Sequence, residues 1–117
     1  MIEVLKAKIH GAIVTDANIN YEGSITIYEP LMQSVGIIEY EKVLVVDVQN
    51  ANRFETYVIK GHAKENPICL NGAAARLVTV GDRIIIMAFQ YLDEGTVSGY
   101  SPRVIFLDEA NEIKTTK

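Results

Sequence analysis

A chain of 117 residues, 49% hydrophobic and 22% charged, suffices for one compact domain with a buried core and is too apolar to be disordered. A formal net charge of -4 offers no basic footprint for phosphates, so nucleic acid is not expected as a partner. Cys69 is the single cysteine and makes no internal disulfide; with no apolar run of transmembrane length and no recognisable signal peptide, the expectation is a cytoplasmic protein without a membrane partner.

From Met1 to Val14 the apolar residues Ile2, Val4, Ile9, Ile13 and Val14 are spaced as strand, turn, strand, with Lys6, Lys8 and His10 on one parity and hence one face. Residues 15–20 read as a turn rich in Asx and Ser/Thr bonding, leading to Tyr21-Glu22-Gly23-Ser24 and an apolar run. Pro30 and Gly36 frame a short helix over Leu31 to Val35. The β-branched run Val43 to Val48 predicts a core strand buried on both faces or nearly so, Asn50-Ala51-Asn52 a turn, and Arg53 to Ile59 the returning strand, with Arg53, Glu55 and Tyr57 on one face. Residues 61–67 are turn-like and Ile68-Cys69-Leu70 a short buried strand, in which Cys69 is a small hydrophobe without a redox role. Asn71-Gly72-Ala73-Ala74-Ala75 either caps one helical turn or lets backbone approach a ligand. Arg83 to Phe89 and Val104 to Leu107 complete the strands, and Asp108 to Lys117 is peripheral. Five to seven short strands with brief helical turns predict a small closed all-β barrel.

Chemistry is sparsely signalled. His10 and His62 are the only histidines, and neither HExxH nor CxxC spacing occurs, so no metal site is expected. GxGxxG and GxxxxGK[ST] loops are absent too. Gly23-Ser24 alone is an ordinary turn dipeptide, though it sets a hydroxyl nucleophile beside a glycine carbonyl open to attack. The polar residues least at home in a plain barrel are Lys8, His10, Tyr21, Ser24, Arg53, Thr56, Tyr57 and Asn71. Lys and Arg hold carboxylates, Thr and Asn stabilise an oxyanion and Tyr carries a proton, a set suited to a small dianionic acid. No side chain among them is a sufficient electron sink.

The blocks Lys8-Ile9-His10, Thr15-Asp16-Ala17-Asn18, Tyr21-Glu22-Gly23-Ser24, Arg53-Phe54-Glu55-Thr56-Tyr57, Asn71-Gly72-Ala73-Ala74-Ala75 and Val80-Gly81-Asp82 together resemble the pyruvoyl-dependent aspartate 1-decarboxylases, over nearly the whole chain. Gly11 departs from the pattern, in which a basic residue commonly follows the histidine, and residues 91–100 vary. The resemblance implies a double-psi β-barrel and a homotetramer with sites between subunits. It also implies that the Ser24 hydroxyl attacks the Gly23 carbonyl and that the ester formed is split by elimination. Position 24 becomes a pyruvoyl group, dividing the chain into residues 1–23 and 24–117, either spontaneously or with a maturation factor. The ketone would form a Schiff base with L-aspartate, whose α-carboxylate leaves as CO2 to give β-alanine for pantothenate and coenzyme A. On the same grounds Tyr57 would be the proton donor, and Thr56, Gly72, Ala73 and Ala74 would contact substrate. Arg53 and Lys8 would hold its carboxylates, and Gly23, Tyr21, His10 and Asn71 would support processing.

Two alternatives stand beside this reading. A pyridoxal phosphate enzyme using Lys8 needs a phosphate cradle that the sequence does not display, so that cofactor is not expected. A small β-barrel binding or assembly module without enzymatic activity would need Gly23-Ser24 only as a turn.

Overall fold

The computed structural model describes residues 1–117 as nine strands, one α-helix and two short 3-10 turns. The first strand, β1 (Ile2–Ile13), is unbroken where a turn was expected. It pairs antiparallel with β7 (Arg83–Leu92), and the register slips between Leu5 and Ala7 and between His10 and Ala12. Gly11, at φ 85°, lies in the second slip, so its backbone freedom makes a bulge rather than a turn. A second difference follows at β2 (Asp16–Asn18), in the segment read as a turn, which runs parallel to β6 (Ile68–Asn71). Non-local pairing overrides local turn propensity there; local bonds survive at the strand's two ends, where Ala17 N–H donates to Asp16 Oδ1 at 2.9 Å and Asn20 N–H to Asn18 Oδ1 at 3.0 Å.

The remaining strands are β3 (Ser24–Tyr28), β4 (Lys42–Asp47), β5 (Arg53–Gly61), β8 (Arg103–Leu107) and β9 (Ile113–Thr116). Their ladder order is β2-β6-β3-β5-β4-β7-β1-β8-β9, with parallel pairs β1·β8, β2·β6 and β3·β5 among antiparallel ones. The expected all-β barrel is present, but β2 and β9 end the ladder without pairing to each other. The sheet is therefore not strictly closed, and covalent continuity brings its two parts together. At the join between β1 and β2, Val14 N–H donates to the Asp82 carbonyl at 2.9 Å and Thr15 N–H to that of Ile68 at 2.8 Å, so one stretch of chain bonds to the starts of both β7 and β6.

The core is a cluster of 21 buried residues, among them Ile9, Ile25, Val45, Leu70 and Ile86. β4 is buried on one face only: Val43, Val45 and Asp47 point inward while Leu44 and Val46 are half-buried, which corrects the expectation of burial on both sides. The helix α1 (Glu29–Val35) begins at the Pro30 turn and ends at Gly36 with φ 76°, as its framing predicts. Seven residues are too few to hold a helix alone. Leu31, Met32 and Val35 are buried against the barrel, each worth roughly 1.5–3 kcal/mol. The C-terminal segment is exposed yet anchored. Asn111 is buried, its Oδ1 accepting from Ile13 N–H at 2.7 Å and its Nδ2 donating to the Ile13 carbonyl at 3.0 Å.

Candidate active site

Strand parity decides the company of Ser24. Ile25 and Ile27 point into the core, so Ser24 and Thr26 point away from it; across the antiparallel ladder they face Asn71 and Cys69. These four side chains are joined through Asn71. Asn71 Nδ2 donates to Ser24 Oγ at 2.9 Å and to Thr26 Oγ1 at 3.0 Å, and the Cys69 thiol donates to Asn71 Oδ1 at 3.2 Å. The Ser24 hydroxyl donates to the Glu22 carbonyl at 3.3 Å. With Ser24 1% and Asn71 3% exposed, these bonds replace water that cannot reach the groups. Cys69 is therefore not the plain buried hydrophobe expected but a half-buried donor. Burial, then the Asp16 charge, pushes its thiol pKa up and keeps the donated proton in place.

The Asn-Gly-Ala run forms the short helical turn, without a side-chain cap from Asn71, and its close approach is to the chain's own backbone. Gly72–Arg76 is a 3-10 turn, and Gly72 at φ 68° lies so close to the Gly23 backbone that a Cβ would sit 2.6 Å from Gly23 Cα and N and 2.9 Å from the Tyr21 carbonyl. Gly23 itself is exposed, and a Cβ there would meet nothing within 4 Å. Beside it opens a cavity of about 360 Å³ lined by Gly23, Thr56, Tyr57, Ala73, Ala74 and Leu77, with Phe54 and Glu55. It exists because β5 is paired on that side only from Val58 onward, where its ladder with β3 starts at Ile25. One step before that pair lie Ser24 and Tyr57, which strand alternation turns to the same side of the sheet.

Other predicted residues lie elsewhere. Lys8, Met87, Leu44 and Glu55 form one cross-strand row, and His10, Ile85, Val46 and Arg53 the next. Three strand spacings, about 14 Å along the sheet, thus separate Lys8 from β5. Lys8 instead borders a cavity of about 210 Å³ with Leu5, Phe106 and Lys117. His10 packs on Phe106 at 5.2 Å between ring centroids, and its Nδ1 is buried without a partner. Burial first, then the Lys8 and Arg83 charges, lowers its pKa. Arg53 is exposed and shares the Tyr57 face as expected, while Tyr21 contributes its carbonyl rather than its exposed ring. A single chain thus gathers Gly23, Ser24, Thr56, Tyr57, Asn71, Gly72, Ala73 and Ala74, and leaves Lys8 and His10 apart.

Sequence reasoning missed Thr26 and Cys69, although each is two residues from a chosen one and so shares its face. It also missed Leu77, whose carbonyl accepts from Asn50 Nδ2 at 3.0 Å and Asn52 Nδ2 at 2.9 Å, and Tyr40, whose ring lies 6.4 Å from that of Tyr57. No sequence signal marks those two. No three His, Cys, Asp or Glu side chains are grouped to hold a metal, and no helix is long and apolar enough to cross a membrane.

The family described as Aspartate decarboxylase matches residues 1–114. Aspartate 1-decarboxylase of Caldicellulosiruptor bescii is 60% identical over 112 residues, covering 96% of this chain and 88% of that protein. The enzyme of the same name from Caldicellulosiruptor saccharolyticus is 58% identical over 113 residues, covering 97% and 88%. That of Acetivibrio thermocellus is 54% identical over 116 residues, covering 99% and 92%. Among solved structures, the computationally designed msDPBB_sym2 protein overlaps 74% of this chain and 99% of its own, with a TM-score of 0.46 and 21% identity.

Proposed function

The chain belongs to the aspartate decarboxylase family, and from that premise we propose that it removes the α-carboxylate of L-aspartate as CO2 to give β-alanine, using a pyruvoyl group made from its own Ser24. The observation that carries the reading is Ser24 itself: buried, bonded to Asn71 and on the same side of the sheet as Tyr57, yet following an exposed Gly23 at the edge of a cavity.

The local geometry fits a residue that is both nucleophile and precursor of the group. Asn71 fixes Oγ, while Gly72 lets the second strand approach the Gly23 backbone without a side chain between them. Attack of Oγ on the Gly23 carbonyl carbon shifts the acyl group from N to O. Elimination across the Cα–Cβ bond of residue 24 then releases residues 1–23, and hydrolysis of the resulting enamine releases ammonia and leaves a ketone. That group supplies a carbonyl for the substrate amine and an electron sink for the pair left by CO2.

The chain's other residues supply binding and a proton. Thr56 and the Ala73-Ala74 backbone contact substrate at the cavity wall, and the Tyr57 hydroxyl, on the Ser24 face, delivers the proton to the carbon that loses CO2. Arg53 holds a substrate carboxylate from the same strand. Lys8 and His10 are too far along the sheet to serve the same copy's cavity. A homotetramer in which a neighbouring copy brings Lys8 to it accounts for both positions, with Lys8 holding the second carboxylate. The expected setting is the cytoplasm and pantothenate synthesis.

Intact mass of the denatured protein tests the reading. Two chains, 1–23 and 24–117, the second lacking an amino terminus, are expected together with β-alanine formation from aspartate. An uncleaved chain after prolonged incubation, with or without a maturation factor, overturns it.

A further inference from the structure

Outside the site, the most anomalous group is Asp47. It ends β4 on the core-facing side, 0% exposed, level with Val43 and Val45 and paired with Ile84 of β7. Its Oδ1 accepts the Gln49 N–H at 2.8 Å, but its buried Oδ2 has no donor. Asp82 precedes Ile84 by two residues, and Val48 N–H donates to the Arg83 carbonyl at 2.9 Å, so the two segments stay side by side there and the Asp82 carboxyl neighbours Asp47. A carboxylate at Asp82 cannot donate to the orphan oxygen, whereas a protonated Asp47 can donate to Asp82.

No cation relieves the pair. Arg83 and Arg53 flank it on β7 and β5 but belong to the opposite face, Arg83 sending Nη1 to the Gly11 carbonyl at 3.3 Å and Arg53 being exposed. Arg76 of the 3-10 turn and Asp16 of β2 are exposed as well, and the chain's ion pairs join Lys6 to Glu41, Lys42 to Glu55 and Lys60 to Glu29.

The two acids sit where two loops meet. Asp82 accepts Thr79 N–H on Oδ2 at 3.0 Å and Val14 N–H on its carbonyl at 2.9 Å, fixing the start of β7. From the turn after Asp47, Asn50 and Asn52 hold the Leu77 carbonyl, and Leu77, Ala73 and Ala74 form one wall of the cavity beside Ser24.

We propose that a protonated Asp47 donates to the Asp82 carboxylate, that this acid pair clasps the Asp47–Asn52 turn to the start of β7, and that Asp47 is thereby a positioning residue for the Ala73-to-Leu77 wall of the aspartate site. Burial, then the Asp82 hydrogen bond and charge, raises the Asp47 pKa, against the lowering pull of the Gln49 and Asn50 N–H groups. A carboxyl whose folded pKa exceeds its unfolded one contributes stability that is complete below the unfolded value and is lost as pH rises through the folded value. The clasp therefore loosens toward alkaline pH. Its link to substrate binding rests on the decarboxylase reading; the pair itself does not.

The test compares the purified mature protein with its Asp47→Asn and Asp82→Asn variants, each of which supplies the missing N–H at every pH. Thermal unfolding and the KM and kcat for aspartate are followed from about pH 5 to about pH 9. The unfolding midpoint of the parent should fall behind both variants as pH rises, by roughly 4 °C or more at the alkaline end. Over the same range KM should rise in the parent and stay flatter in the variants, with kcat moving less. Parallel midpoint curves in all three proteins, or variants less stable than the parent at alkaline pH, overturn the pair. Diverging midpoints with parallel KM profiles overturn the positioning role and leave the clasp standing. If none of the three decarboxylates aspartate, the functional reading fails while the unfolding curves still decide the pair.

Discussion

Asn71 stands directly opposite Ser24 in the β3·β6 ladder, and its amide is not free to flip: the Cys69 thiol occupies Oδ1, so both N–H groups go to the Ser24 and Thr26 hydroxyls. The Ser24 proton is thereby directed to the Glu22 carbonyl, on the side of the peptide bond that the proposed cleavage breaks.

Ser24→Ala removes the nucleophile and one buried hydroxyl. The barrel should keep the parent's far-ultraviolet circular dichroism, the mass should remain that of one 117-residue chain, and no β-alanine should form. A cleaved product or residual turnover would contradict the assignment.

Asn71→Ala leaves two hydroxyls without their donor, at about 1–3 kcal/mol for each group left unsatisfied. Disappearance of the uncleaved mass in freshly made protein should slow markedly. Cys69→Ser, which keeps a donor, should process faster than Cys69→Ala, and equal rates would remove the thiol from the chain of bonds.

Gly72→Ala forces a Cβ against the Gly23 backbone and imposes a left-handed residue worth about 1–2 kcal/mol of strain. Gly81→Ala, at φ 98° with open space around it, carries only the backbone penalty. Loss of cleavage in the first variant but not the second, at comparable unfolding midpoints, is the expected pattern; equal cleavage would separate the Gly72 approach from processing.

Tyr57→Phe should process normally, since no bond to Ser24 or Asn71 is lost, but decarboxylate about 10²-fold or more slowly. Unchanged kcat would transfer the proton delivery to another group.

Lys8→Ala should raise the KM for aspartate more than it lowers kcat. Because Lys8 lies across the sheet from its own Tyr57, mixed assemblies of Lys8→Ala and Tyr57→Phe chains should regain part of the activity that each lacks. No recovery in assemblies proven to be mixed would count against a site shared between copies.

Much of this was legible where local rules decide. β-branched runs marked β4, β5 and β7, Pro30 and Gly36 framed α1, and Asn71-Gly72 marked a short helical turn. What escaped depends on which strands become neighbours. The β2 segment is turn-like until β6 lies beside it, and the turn expected between Met1 and Val14 is replaced by bulges once β7 lies beside β1. The separation of Lys8 from Tyr57 likewise follows from ladder order, and parity along one strand carries no trace of it. Asp47, in the apolar run of β4, shows its burial only once β7 lies beside it.

The continuity of β1 and β2 has a consequence for the molecule that the proposed cleavage would leave. Residues 1–23 contain both strands, one lying between β7 and β8 and the other against β6, so the excised piece is a captive held by hydrogen bonds on three partners. Cutting the chain costs the folded state little, but the denatured state becomes two molecules that must find each other again. After maturation, refolding acquires an order in concentration, and dilution alone should depress the unfolding midpoint of the cleaved protein while leaving that of Ser24→Ala less affected.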